Sequence, residues 1–256
     1  MMAIDINSDM GELPEAVADG SQEALMQFIT SANIACGAHA GDERTMRATI
    51  EQAQRWDTAV GAHPGYEDRA NFGRVELSLT SDEIADSVYR QLVTFAKVAE
   101  ECGADVAHVK PHGALYNQAA RDPQVARAIA QGVRRWSASV VLVGLAGSVM
   151  LDEFREAGFA IAAEAFADRR YDADGSLRPR KFRDALLVVP ADAAAQALRI
   201  VTQGEVLASN SQAIPIEANT LCIHSDTPGA LQIAEVVHSA LRGAEITLQP
   251  LRGRAS

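Results

Sequence analysis

Residues 3–12 read Ala3-Ile4-Asp5-Ile6-Asn7-Ser8-Asp9-Met10-Gly11-Glu12. Ile4 and Ile6 alternate with Asp5, Asn7 and Asp9, so a strand over Ala3–Asp9 turns the three polar side chains to one face. The interior of a β/α barrel normally takes Val or Ile at such positions, and three polar groups there need partners. The same stretch separates two architectures. An open doubly wound sheet usually carries a GxGxxG turn after its first strand. Here that strand runs into Asn-Ser-Asp-Met-Gly-Glu, and no GxxxxGK[ST] phosphate loop occurs anywhere. A barrel fits; a nucleotide-binding open sheet does not.

Outward from this strand, short apolar or alternating runs recur at Ala32–Gly37, Thr58–His63, Asp105–Lys110, Ser139–Leu145, Phe159–Phe166 and Thr220–His224. Helical patterns fall between most of them. Asp42 opens one in which Met46, Ile50, Ala53 and Trp56 recur at spacings of three and four. Thr80 with Glu83 makes a capping box ahead of Ile84, Val88, Leu92 and Phe95, and Gly103 is the stop. Asp122-Pro123 and Thr227-Pro228 each set a capping residue before a proline at the first helical position. The second of these precedes Leu231, Ala234 and Val237, with Gly243 ending the helix. Such alternation gives a mainly parallel sheet with helices outside it. Seven strands point to one α/β domain over residues 1–256, a closed or nearly closed (β/α) barrel. The interval 184–219 breaks the rhythm, with a helix near Ala191–Gln203 and a hairpin inserted near 204–218. In that hairpin Val206–Leu207 faces Ile214–Ile216.

The chain has 256 residues, 48% hydrophobic and 22% charged, ample for one large core. A net charge of −11 disfavours nucleic acid and anionic lipid as partners. Cys36, Cys102 and Cys222 are far apart and lack CxxC spacing. That argues for reduced thiols and against a disulfide framework or a zinc–thiolate site. The N-terminus is acidic, and no apolar run approaches the ~18 residues of a membrane span. The expectation is a soluble cytoplasmic protein, with homo-oligomerisation left open.

In parallel β/α folds the active site forms where the strands end. The second unit ends Cys36-Gly37-Ala38-His39-Ala40-Gly41-Asp42, and the third Gly61-Ala62-His63-Pro64-Gly65-Tyr66. The fourth gives His108-Val109-Lys110-Pro111-His112-Gly113, the sixth Glu164-Ala165-Phe166-Ala167-Asp168-Arg169, and the last His224-Ser225-Asp226. A single histidine in such a place is more often a hydrogen-bonded structural group than a ligand or a base. Several carboxylates and imidazoles on one rim, with a lysine among them, reverse those odds. Asp42 and Asp226 also suit helix capping, and the flanking glycines suit turns.

The strings NSDMGE at 7–12, SANIACGAHAGD at 31–42, VGAHPGYED at 60–68 and HVKPHGALYN at 108–117 are long and ungapped. LVGLAGS at 142–148, FADRRYDADGSLRPR at 166–180 and TLCIHSDTPGA at 220–230 follow in order. Together they resemble the LamB/YcsF family, that of the A subunit of bacterial 5-oxoprolinase, over nearly the whole chain. The resemblance implies a barrel related to the polysaccharide deacetylases, often with seven strands. It implies ATP-dependent opening of 5-oxoproline (pyroglutamate) to L-glutamate, carried out with B and C subunits. Two departures from the family pattern stand near the pocket: the stretch Leu13–Gly20, and Ala38 where an aromatic is usual.

A five-membered lactam has a resonance-stabilised amide whose nitrogen leaves poorly. With ATP as co-substrate and Mg2+ beside it, phosphorylating the lactam oxygen activates the carbon for water. Such a site needs a cation, a base for water and an acid for nitrogen. Lys110 is the candidate cation, and His39 and His63 the candidate base and acid. Asp9 orients one of them, and His112 completes the catalytic set. Asn7, Glu12, Asp168, His224 and Asp226 are candidate substrate contacts, with Arg74 or Arg169 as the bidentate partner of the substrate carboxylate. Two alternatives stay open. Asp9, His39 and His63 could hold a divalent metal for amide hydrolysis or deacetylation without ATP, or the chain could be a binding subunit whose chemistry occurs on its partners.

Overall fold

The alternation at the N-terminus forms strand β1 (Ala3–Met10), and all seven expected strands are present in the computed structural model, which describes residues 2–252. After two short helices, α1 (Pro14–Ala18) and α2 (Ser21–Met26), come β2 (Ser31–Ala35), α3 (Glu43–Arg55) and β3 (Ala59–His63). Then follow α4 (Ser81–Glu101), β4 (Val106–Val109), α5 (Gly113–Ala119), α6 (Pro123–Trp136), β5 (Val141–Leu145), α7 (Val149–Glu156) and β6 (Ala160–Phe166). The chain ends with α8 (Pro190–Gln203), a hairpin of β7 (Glu205–Leu207) and β8 (Ala213–Pro215), β9 (Thr220–Cys222), α9 (Ala230–Gly243) and β10 (Thr247–Leu248).

The order β1-β2-β3-β4-β5-β6-β9 closes through parallel pairing of β9 with β1, giving a seven-stranded parallel barrel. β10 pairs with Ala3 and Ile4 on the β1 edge that β2 occupies higher up. The Ile4 carbonyl accepts from Gln249, and the Ile6 carbonyl from Thr30. The main core lies between barrel and helices. Ile4, Ile6, Ile34, Val109 and Leu221 point outward and meet Leu92, Phe95, Ile129, Phe154 and Ile233, all buried. Each such side chain contributes roughly 1.5–3 kcal/mol. The barrel interior differs: a small apolar cluster of Val141, Val143 and Ala162, and a set of buried polar groups along the axis.

Those polar groups satisfy one another. Asp5 accepts hydroxyl hydrogen bonds from Thr30, Ser31 and Thr220. Asn7 donates to Thr220 Oγ1 and accepts from Asn33 Nδ2 at 2.7 Å. Asn33 accepts from His108 Nε2 at 2.8 Å. Gly61 on β3 makes room for that imidazole, since a Cβ there would lie 2.0 Å from His108 Nε2. Burial, followed by the Lys110 charge, lowers the His108 pKa to about 3, so the ring is a neutral spacer.

The caps at Asp42, Thr80 and Asp122 form as expected, the first two as reciprocal capping boxes with Thr45 and Glu83. The Thr227-Pro228 expectation is corrected. Helix α9 starts at Ala230 behind Gly229, whose φ is +78°, because the Thr227 hydroxyl donates to Asp168 instead, at 2.6 Å. The buried stripe of α9 is Ile233, Ala234, Val237 and Leu241, and Leu231 is exposed. Trp56, expected on the α3 stripe, is likewise exposed, at the helix C-cap. No helix among the described residues is long and apolar enough to cross a membrane.

Candidate active site

A cavity of about 610 Å3 opens at the C-terminal ends of the strands. Lys110, just past β4, reaches its wall. Its Nζ lies 2.9 Å from Asp9 Oδ1, 2.8 Å from Glu164 Oε1 and 3.2 Å from Asn7 Oδ1. Burial would neutralise the ammonium, but the Asp9 and Glu164 carboxylates outweigh it and hold the lysine pKa well above its ordinary value. Burial likewise opposes ionisation of Asp9, and His63 with Lys110 outweighs it, keeping this carboxyl well below its usual range. Lys110 is a fixed positive charge in a dry setting, where Coulomb terms are strong.

Beside it lie three imidazoles and a carboxylate: Glu12, His39, His63 and His112, with one ligand atom of each within 4.8 Å of the others. Two backbone carbonyls set the tautomers. His63 Nδ1 donates to the Lys110 carbonyl at 2.7 Å, which leaves Nε2 bare. His112 Nε2 donates to the Phe72 carbonyl at 2.9 Å, which leaves Nδ1 bare. Phe72 presents that carbonyl from a backbone φ of +56°, a region that aromatic residues rarely occupy. The two bare nitrogens face each other at 3.0 Å, and Glu12 Oε1 lies 3.0 Å from His112 Nδ1 and 3.7 Å from His63 Nε2. Three acceptors converging in this way need a cation or a shared proton between them. Burial pulls the His63 pKa down, yet the Asp9 and Glu12 carboxylates carry it above its ordinary value. His39 stacks on His112 with centroids 3.7 Å apart, and burial drops its pKa to about 4.

Across the cavity, His224 Nδ1 donates to Asp168 at 2.9 Å, and its ring stacks on Phe166. Asp168 also accepts from the His224 amide and the Thr227 hydroxyl, so the imidazole is tightly oriented. Nearer the solvent, Asp226 bridges Arg74 and Arg180. Arg169 lies on the same wall, buried, with its Nη2 donating to the Arg178 carbonyl. Among the described residues no carboxylate pairs with Arg169.

With this geometry in place, the comparison with known proteins is decisive: the LamB/YcsF family matches residues 4–256. The chain belongs to the LamB/YcsF family. Within it, the protein is similar to the A subunit of the 5-oxoprolinase of Chloroflexus aurantiacus, 47% identical over 249 residues, 97% of this chain and 98% of that one. The crystal structure of the lactam utilization protein of Thermus thermophilus superposes with a TM-score of 0.90 at 38% identity, covering 97% of this chain and 99% of that one. A deacetylase solved with its substrate reaches a TM-score of 0.50 at 12% identity over 98% of this chain and 88% of that one, a likeness of fold alone.

Of the site residues expected from the sequence, this LamB/YcsF chain brings Asp9, Glu12, His63, Arg74, Lys110, His112, Arg169, His224 and Asp226 to the cavity wall. Asn7, His39 and Asp168 are buried behind it. The group able to hold a metal is Glu12, His39, His63 and His112, whereas Asp9 Oδ2 stands 3.4 Å from His63 Nε2 and Asp9 Oδ1 pairs with Lys110. Sequence reasoning missed Glu164, Asn33 and Arg180. The two-residue period could have found the first two, since Glu164 shares a face with Phe166, and Asn33 with Ser31. Nothing local singles out Arg180.

Proposed function

We propose that this chain is the A subunit of a cytoplasmic 5-oxoprolinase, a single barrel domain. With B and C subunits and ATP–Mg2+, it opens 5-oxoproline hydrolytically to L-glutamate. What carries the reading is the full-length likeness to the A chain of a 5-oxoprolinase and to a lactam utilization protein, in a fold whose strand ends surround a buried cation.

The geometry supports the following roles. In the ATP-coupled reaction the lactam oxygen attacks the γ-phosphorus and ADP departs. Lys110, on the cavity wall, stabilises the negative charge of the phosphoryl oxygens. Water then attacks the activated carbon, with the ring C–N bond breaking and phosphate leaving. His224, held by Asp168, presents its other nitrogen as the base for water. His63 donates to the departing nitrogen once its Nε2 is protonated, a form that the Asp9 and Glu12 carboxylates favour. Arg169, the buried guanidinium that no carboxylate pairs among the described residues, takes the substrate carboxylate as a bidentate pair. The test is glutamate release by the reconstituted subunits. Lys110→Met should cut turnover by at least ~100-fold, the scale of losing one oxyanion donor. If turnover is undiminished while 5-oxoproline still binds, the chain serves in binding only.

A second reading is favoured by one observation, the bare nitrogens of His63 and His112 converging on Glu12. Glu12, His39, His63 and His112 fit a divalent cation, which when bound would polarise a carbonyl oxygen or activate water. Stoichiometric metal after purification without chelator, with amide hydrolysis that needs no ATP, would favour this reading. Metal-free protein at full ATP-dependent rate would exclude it.

A further inference from the structure

The cavity has two electrostatic halves. On its floor, Asp9 and Glu12, with Glu164 buried behind them, outnumber Lys110. On its outer wall, Arg74, Arg169 and Arg180 stand against the single carboxylate of Asp226. Arg121 also lines the cavity but is paired with Glu76. Asp226 Oδ2 accepts from Arg74 Nη2 at 2.7 Å and from Arg180 Nη1 at 3.0 Å. One carboxylate thus bridges two guanidiniums that follow different strands, β3 and β6, while Asp226 follows β9, and the cluster stays net positive.

Volume adds a second observation. Nine non-hydrogen atoms of 5-oxoproline, even at the ~30 Å3 that one water occupies in the liquid, fill about 270 Å3. The cavity holds about 610 Å3. More than half is left for another occupant, and the wall facing that space is cationic.

We infer that the outer half of the cavity is a second anion subsite, in which Arg74 and Arg180 take the polyphosphate end of a nucleoside triphosphate in place of Asp226. The inference rests on the lactam-opening reading, which gives the carboxylate of 5-oxoproline to Arg169. The charges then balance: one guanidinium for the lactam carboxylate, and two for phosphate oxygens once Asp226 yields. Guanidinium forks suit phosphate oxygens bidentately. A site made of side chains also agrees with a chain that lacks a glycine-rich phosphate loop. Arg74 stacks on Phe72 at 4.9 Å, so a phosphate drawn to this rim sits beside the residue whose carbonyl sets the His112 tautomer.

Calorimetric titration of the full chain with tripolyphosphate, and separately with ATP–Mg2+, tests the subsite. Both should bind, with or without saturating 5-oxoproline. Arg74→Gln and Arg180→Gln should each weaken binding by about tenfold or more, the scale of one charged hydrogen bond. Asp226→Asn, which removes the internal competitor, should tighten it several-fold by the same reasoning. These side chains lie at the rim, and circular dichroism of each variant is the check that it folds. No binding of either probe, or binding indifferent to Arg74→Gln and Arg180→Gln, overturns the subsite. So does displacement of the polyphosphate by 5-oxoproline, which would mean one anion site and not two. Binding of tripolyphosphate but not of ATP–Mg2+ overturns the nucleotide assignment. The lactam reading fails separately, on absence of 5-oxoproline binding or on binding indifferent to Arg169→Gln.

Discussion

At the scale of single residues, buried charges are bound to their partners more tightly than to any one task. Lys110 faces both Asp9 and Glu164, so Lys110→Met leaves two carboxylates short of a cation and costs about 3–5 kcal/mol. Adding Glu164→Gln should restore much of that stability in urea unfolding, without restoring turnover in the reconstituted assembly. Recovery of both would deny the lysine a role in chemistry. Asp5 gives a pH prediction. Burial lifts its pKa from 3.8 to about 6 despite hydrogen bonds from Ser31, Thr220 and Thr30. The folded protein therefore binds this proton more tightly than the unfolded chain does. Its contribution to stability is full below pH about 4 and is lost as pH rises through about 6, an effect of roughly 3 kcal/mol. Asp5→Asn should flatten the stability profile between those limits, and parallel profiles for the two proteins would refute it. The inward set Asp5, Asn7 and Asp9 was legible in the sequence, because a two-residue period assigns faces without knowing the neighbours. Their partners were not: Glu164 and Asn33 lie on other strands, and pairing across a barrel is a long-range fact.

At the scale of elements, β3 and β4 are matched by a missing side chain. Gly61 admits the His108 ring, so Gly61→Ala should destabilise by about 3 kcal/mol or more, the upper range of overpacking costs. In a double-mutant cycle, His108→Ala should recover part of that loss; strict additivity would show that the clash relaxes elsewhere. Helix starts were readable where the cap closes on its own helix, as at Asp42, Thr80 and Asp122. Thr80→Ala should accordingly lower thermal stability by about 1 kcal/mol. The cap failed to be readable at Thr227, whose hydroxyl is claimed by Asp168, 59 residues away in sequence. Local signals decide a helix start only when no distant group competes for the same oxygen.

At the scale of the molecule, β1 is the strand on which closure depends. It pairs with β2, β9 and β10, so deleting residues 246–256 should open its lower edge and speed amide hydrogen exchange at Ile4, while the Ile6 amide, which donates to Thr30 Oγ1, should be affected less. Exchange at Ile4 unchanged from the full chain would show that β10 is dispensable. The parallel barrel was foreseeable from seven alternating units. The clasp of Arg74, Asp226 and Arg180 was not, since it joins loops that meet only after the barrel has closed.

The polar axis of this barrel bears on how the chain finds its shape. Slipping any strand by one residue exchanges its two faces. For β1, that would drive Asp5, Asn7 and Asp9 into the oily layer beneath the helices and leave Ile4 and Ile6 among amides and carboxylates. An all-aliphatic axis would tolerate such an error at little cost, because either face could be buried. Here a slip of β1 leaves Asp9 without Lys110 and Asp5 without its three hydroxyl donors, so the polar axis also serves as a proofreading key during folding.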